Sequence, residues 1–336
     1  MQPVQEIYPL LSGPARRIVI TTHQKPDADA MGSSLALKQL LIQLGHSVIV
    51  ISPTNWAGWV NWMSGTDEVL DFEADRAACL EVIGEAEWIF CLDYNHFART
   101  KAMEQPLREK EAIKILIDHH QEPDTPAFTY GISDTRKSST CEMIYDFIVE
   151  SGHADKINLT MAECIYAGLV GDTGSFRFPS AHEGVHRIVA ELKAKGLSHT
   201  SIHENLFDNF LENRLRFIGH VLMNRMEIFY EYNTALIAIP KSDLLRFRIR
   251  TGDTEGLVNY PQSIQGIKLV ALVIDRDEER KWSFRSKGDF DCNKFARKYF
   301  NGGGHFAASG GHSADSLDQT VRRFKEVLKE NEALLK

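Results

Sequence analysis

Short β-branched apolar runs alternate with helical repeats through the first half of the chain. Residues 17–22, Arg-Ile-Val-Ile-Thr-Thr, predict a buried strand. Residues 33–44 place Leu35, Leu37, Leu40, Leu41 and Leu44 at helical spacing, and Gly45 closes the pattern. Residues 47–51 predict the next strand, and a strand–helix–strand order belongs to a parallel sheet with covering helices. Apolar runs over 88–92 and 113–117 add two more strands, each followed by a carboxylate, Asp93 and Asp118. Ser/Thr-x-x-Glu boxes beginning at Ser139, Thr160 and Ser180 predict three helix starts, the last helix closing at Gly196. Polar amphipathic helices then continue through residue 224. From residue 226 the texture changes: 227–239, 269–274 and 281–285 predict strands, 291–300 a helix, 301–305 a glycine-rich turn and 316–335 a terminal helix. The expected architecture is α/β, with a parallel-sheet domain over 1–190, a helical connector over 191–226 and a smaller domain over 227–336.

Composition narrows the classes. A length of 336 residues suits two cores better than one, and 43% hydrophobic with 25% charged residues is ordinary for a soluble globular protein. A net charge of −8 argues against broad electrostatic binding of long duplex nucleic acid. A small anion stays open, because bound cations reverse a local field. Five cysteines without a C-x-x-C pair read as buried apolar residues of a reducing compartment. Residues 1–11 lack a signal-peptide pattern, and no apolar run approaches the ~18 residues of a membrane span. A cytoplasmic protein with no membrane partner is expected.

The chemistry collects where strands end. In open parallel sheets the ligand crevice lies beyond the carboxyl ends of the strands. His23, Asp27 and Asp29 follow the first strand, Asp93 another, and Asp118-His119-His120 a third, with Asp172 at a helix end. Taken singly, each would be a cap or a turn former. Together they crowd like charges that repel one another until a cation neutralises them. So many donors exceed one ion and suit two cations about 3.5–4 Å apart sharing a carboxylate. Mixed oxygen and imidazole ligands favour manganese, iron, cobalt or zinc over magnesium. Such a pair lowers the pKa of a shared water and clamps a phosphate, which is the chemistry of phosphoester or phosphoanhydride hydrolysis.

Residues 22–33, Asp93, Asp118-His119-His120 and 171–176 (Gly-Asp-Thr-Gly-Ser-Phe) resemble, in order, the four motifs of the DHH phosphoesterase superfamily. Ser283-Phe284-Arg285-Ser286 and 302–310 resemble its C-terminal DHHA1 domain. The size resembles the compact bacterial nanoRNase / pAp phosphatase type, which degrades very short oligonucleotides and 3′-phosphoadenosine-5′-phosphate (pAp). The resemblance implies a Rossmann-like DHH domain, a smaller α/β DHHA1 domain and an active-site cleft between them. It implies two manganese ions, with cobalt or magnesium as substitutes. His23, Asp27 and Asp93 would hold one, and Asp29, Asp93, His119 and Asp172 the other. It assigns catalysis to Asp93, His120 and Asp118, with Asp118 supporting the loop. Substrate contacts would be His120, Arg285, Ser286, Gly303, Gly304 and His305.

The second domain adds a signal of its own. Arg280, Lys281, Arg285, Lys287, Lys294, Arg297 and Lys298 outnumber Asp289 and Asp291, an excess that suits a phosphate-bearing ligand. Glycines 302–304 would let main-chain N–H groups approach an anion. A rival motif, His182-Glu183-Gly184-Val185-His186, fits the H-E-x-x-H zinc-peptidase signature. It falls in the first turn of a helix, however, with Glu183 in a capping box and no third ligand evident. The expected function is manganese-dependent hydrolysis of short oligonucleotides or small phosphorylated nucleotides, with a homodimer as the expected assembly. The alternatives are a phosphodiesterase for linear or cyclic dinucleotides, an exopolyphosphatase or pyrophosphatase, and a non-catalytic nucleotide sensor.

Overall fold

The computed structural model describes residues 1–276 and 279–336. The chain divides into two compact units, Met1–Asn209 and Phe210–Lys336. The first contains strands β1 (Gln2–Pro3), β2 (Arg17–Thr21), β3 (Ser47–Ser52), β4 (Leu70–Asp71), β5 (Trp88–Leu92), β6 (Ile113–Asp118) and β7 (Tyr130–Ser133). They form one sheet in the order β1-β7-β6-β5-β2-β3-β4, with every pairing parallel. The helices are α1 (Ala28–Gln43), α2 (Arg76–Glu85), α3 (Glu104–Glu109), α4 (Thr140–Glu150), α5 (Leu159–Asp172), α6 (Glu183–Ala194) and α7 (His199–Phe207). β5 is buried along its whole length, as a strand covered on both faces must be. Phe90 packs with Leu37, Ile144 and Ile165 on one face, while Ile89 packs with Cys79, Ile83 and Leu107 on the other.

Register places the chemistry. Thr21 lies beside Cys91, and Leu92 beside Ile117. β2, β5 and β6 therefore end level, and the residues that follow them leave the sheet at one edge. α1 begins at that edge, where Asp27 caps it: Oδ1 accepts from the N–H groups of Asp29 (3.0 Å) and Ala30 (3.1 Å). α1 and α5 pack closely beside α4. A Cβ on Gly168 would stand 2.3 Å from Cys141 Sγ and 2.6 Å from Asp29 Oδ1. Gly168→Ala is expected to destabilise the first unit by about 1–3 kcal/mol, because the crowded helices cannot separate without strain. Urea denaturation checks this, and an unchanged midpoint would show that the crossing has room to relax.

The second unit holds α8 (Glu212–Asn224), β8 (Met226–Phe229), β9 (Thr234–Ile239), α9 (Lys241–Arg246), β10 (Leu269–Asp275), β11 (Arg280–Ser286), α10 (Cys292–Tyr299), β12 (Gly303–His305), β13 (Ala308–Ser313), α11 (Leu317–Glu330) and α12 (Glu332–Leu335). Among the described residues its six strands run in the order β12-β13-β11-β10-β9-β8. β9 and β10 are parallel, and the other pairings are antiparallel. Trp282, Phe284, Phe295 and Phe324 fill one face, and Phe217, Ile237, Val270 and Leu272 the other.

Several local expectations change. The strand expected over 227–239 is a hairpin, because Asn233 takes a left-handed conformation (φ 45°) between β8 and β9. Asn158, not Thr160, caps α5, accepting from Met161 N at 2.9 Å. His182, not Ser180, caps α6 through Nδ1, which accepts from Gly184 N at 3.1 Å. The stretch expected as a connector is shared, with α7 in the first unit and α8 in the second. All five cysteines are buried and free. Among the described residues, no helix is long and apolar enough to cross a membrane.

Candidate metal centre

Asp93 leaves β5 with φ 63°, a left-handed conformation uncommon outside glycine. Its N–H donates to Ile117 O (3.2 Å), and its carbonyl accepts from Arg99 Nη1 (3.2 Å). Such strain persists only where surrounding bonds over-determine it, and it collects at functional sites. The turned backbone presents two carboxylate oxygens to two different imidazoles. His23 Nε2 lies 3.3 Å from Asp93 Oδ2, and His119 Nε2 lies 3.4 Å from Asp93 Oδ1. Both rings are oriented from behind by main-chain carbonyls: His23 Nδ1 bonds Gln24 O at 2.8 Å, and His119 Nδ1 reaches Lys137 O at 3.4 Å. A ring with Nδ1–H on a carbonyl turns its Nε2 lone pair toward the centre, the arrangement of metal-binding histidines.

The remaining acids close round these groups. Asp172, at the end of α5, brings Oδ2 to 3.2 Å from His119 Nε2. The chain then turns through Gly174, Ser175 and Phe176, all at positive φ, and Ser175 Oγ meets His203 Nε2 at 3.0 Å. Asp29 is clasped by the first turn of α4: Thr140 N reaches Oδ2 at 2.6 Å and Cys141 N reaches Oδ1 at 2.8 Å. Helix N-termini favour such a negative charge. Thr140 also donates its hydroxyl to Asp93 Oδ1 at 3.0 Å, so one residue steadies two carboxylates. Asp118, fully buried, accepts from His120 twice, from N at 3.1 Å and from Nδ1 at 2.7 Å.

Electrostatics divides the acids. Burial alone would push Asp93 up, but His119, His23 and His120 more than offset it and hold its carboxyl well below the usual range. Burial drives Asp29 well above that range, and Asp93 and Asp172 add to the shift. Burial likewise pushes Asp172 up to about 6 against the pull of His119. Burial lowers His119, but Asp172 and Asp93 outweigh it and the ring is raised well above its ordinary value. Burial, helped by the Arg99 charge, lowers His120 despite Asp118. The centre thus gathers carboxylates that resist ionising together, a conflict that a cation resolves.

The sequence-predicted residues do converge. His23, Asp27 and Asp93 offer ligand atoms within 4.8 Å of one another, and so do Asp29, Asp93 and His119. Asp93 also groups with Asp118 and His120 in the same way. The donor set fits divalent cations, with carboxylate oxygens and imidazole nitrogens turned to shared space. Thr140 and Arg99 were missed, since an ordinary helix start and an arginine on a short 3-10 helix carry no motif signal. His182 and His186 form no such group among the described residues. His182 instead sits 3.2 Å from Glu142, and the His186 ring lies tilted beside Phe176, with centroids 5.7 Å apart.

In the second unit, Arg285 on β11 pairs with Ala308 on β13, which pairs with His305 on β12. Directly opposed residues share a sheet face, so Arg285 and His305 flank a small alanine in one row. The glycine expectation needs correction. Gly302 N donates to Ala296 O (3.2 Å) and Gly304 N to Asn293 Oδ1 (3.0 Å), so these N–H groups hold the fold together. Gly304 is required by close approach: its Cβ would stand 2.7 Å from Ala308 O.

The model of the DHH family N-terminal domain matches residues 17–169, and the DHHA1 domain matches 235–335. The chain is also 30% identical over 318 residues to the bifunctional oligoribonuclease and PAP phosphatase NrnA of Bacillus subtilis, covering 94% of this chain and 96% of that one. The chain belongs to the DHH family. A crystal structure of an exopolyphosphatase-related protein from Bacteroides fragilis shares 35% identity at a TM-score of 0.92, covering 98% of this chain and 96% of that one. A probable manganese-dependent inorganic pyrophosphatase of Streptococcus mutans matches at 27% over 183 residues, 52% of this chain and 54% of its own. The pyrophosphatase match covers about half of each chain, while the first two run nearly end to end. The strand-end residues of this DHH chain are therefore the natural place to look for its chemistry.

Proposed function

We propose that the chain is a manganese-dependent phosphohydrolase that degrades very short oligonucleotides to mononucleotides and removes phosphate from pAp. The observation that carries the reading is Asp93, whose two oxygens face two separate imidazoles. His23, Asp27 and Asp93 would hold one cation, and Asp29, Asp93, His119 and Asp172 a second. Bound cations would neutralise phosphate charge and lower the pKa of water. Asp118 fixes His120 with Nδ1–H toward its carboxylate, so the neutral ring carries its lone pair on Nε2. His120 in that state accepts a hydrogen bond or a proton at the phosphate. Arg285 and His305 would bind substrate through their side chains, with Ser286 and Gly303 beside them. The choice of oligonucleotides and pAp is supported by the name of the B. subtilis relative.

Product chromatography after incubation with manganese tests the proposal. The substrates are pAp, a linear dinucleotide, a five-mer, a 20-mer, a cyclic dinucleotide and polyphosphate. Mononucleotides from pAp and the short oligomers, with the 20-mer intact, are expected. Cleavage of polyphosphate alone would favour the reading suggested by the exopolyphosphatase-related protein of B. fragilis and overturn the nucleotide assignment.

A further inference from the structure

We infer that Arg99 binds the substrate's phosphate, its guanidinium fork taking the non-bridging oxygens at the Asp93 centre. The inference deepens the phosphohydrolase reading and rests on it. Arg99 lies on the short 3-10 helix Phe97–Met103 that follows β5. Two bonds tie it to the centre. Its Nη1 donates to the carbonyl of Asp93 at 3.2 Å, and its own carbonyl accepts from Gln24 N at 2.9 Å, the residue next to His23. The backbone and the side chain of Arg99 are thus anchored to two of the loops that carry the cluster.

What the side chain lacks is an acid. Arg99 is partly buried, yet among the described residues no carboxylate oxygen comes within 4.0 Å of its guanidinium. One N–H goes to the Asp93 carbonyl, and a guanidinium has five to give. A partly desolvated cation ordinarily takes a counter-ion, and surface arginines of this chain do so: Arg108 pairs with Glu104 and Asp124, Arg136 with Asp134. Arg99 instead bonds the main-chain carbonyl of Asp93 without pairing with its carboxylate. Its charge still reaches both sides of the centre, opposing protonation of His23 and of His120. A planar fork matches two phosphate oxygens better than a point charge does. An anion arriving at His120 would complete the pairing that the protein leaves open.

The test compares Arg99→Gln and Arg99→Lys with the wild type in the manganese-loaded full chain. For whichever substrate the wild type turns over, kcat/KM should fall about a hundredfold or more in Arg99→Gln, as when one preorganised donor is lost. Arg99→Lys should recover only part, since it keeps charge without the fork. Calorimetry with inorganic phosphate as the probe should show weaker binding in Arg99→Gln, while manganese affinity stays at the wild-type value. Wild-type turnover in Arg99→Gln would overturn the inference. So would a loss of activity matched by an equal loss of manganese affinity, which would make Arg99 a support for the Asp93 turn alone. Should the wild type cleave polyphosphate and no nucleotide, the nucleotide reading fails while Arg99 is still judged on polyphosphate and inorganic phosphate.

Discussion

Asp93→Asn should reduce kcat/KM by roughly three orders of magnitude or more, with far-UV circular dichroism unchanged. Asparagine is the informative replacement. It tolerates the left-handed backbone that Asp93 adopts, so the turn after β5 survives. It keeps the shape and removes the charge. His23 and His119 then lose the shared carboxylate that orients and charges both of them. Asp29 and Asp118 cannot replace it, since Asp29 is held by the amides of α4 and Asp118 is held to His120. Steady-state kinetics on pAp or a dinucleotide decides the point. Near-normal turnover would remove Asp93 from the centre of the mechanism.

Chelation should abolish turnover, and manganese should restore it. The accompanying stability change should depend on pH. Unfolded carboxyls titrate near 4, whereas Asp172 in the folded chain is pushed up to about 6 and Asp29 is also raised. Between these values the folded metal-free chain binds more protons than the unfolded one. Its stability therefore falls as pH rises through that window. The raised His119 acts in the same direction, with its contribution present at low pH and lost as pH rises through its folded value. A cation needs all three groups deprotonated. The rise in melting temperature on adding manganese should thus be larger at pH 7.5 than at pH 5. A rise that is equal at both pH values, or larger at pH 5, would mean that these groups do not hold the ion.

The cluster was legible in the sequence because a parallel sheet sends the residues after each strand to one edge. The runs ending before His23, Asp93 and Asp118 were enough to place seven polar side chains together, and Asp172 joins them from the end of α5. The geometry that makes them work was not legible. Thr140 looks like the second residue of a capping box, yet its amide and hydroxyl reach Asp29 and Asp93, more than forty residues away in either case. Arg99 sits on a short 3-10 helix with no periodicity to mark it. The strand break at Asn233 hid inside a stretch rich in aromatic and β-branched residues, because backbone handedness at one residue leaves no hydrophobic signature. Helix caps were misplaced where another polar residue, Asn158 or His182, competed for the same amides. The division after Asn209 falls inside the stretch expected as a connector, but its exact place was not legible, because amphipathic helices lie on both sides of Asn209.

Anomalous diffraction at the manganese edge, from crystals grown with the ion, tests the Asp93 centre most directly. Two peaks about 3.5–4 Å apart are expected on either side of Asp93. One should lie beside His23 and Asp27, the other beside Asp29, His119 and Asp172. A single peak remote from Asp93, or none at manganese concentrations that support turnover, would contradict the assignment.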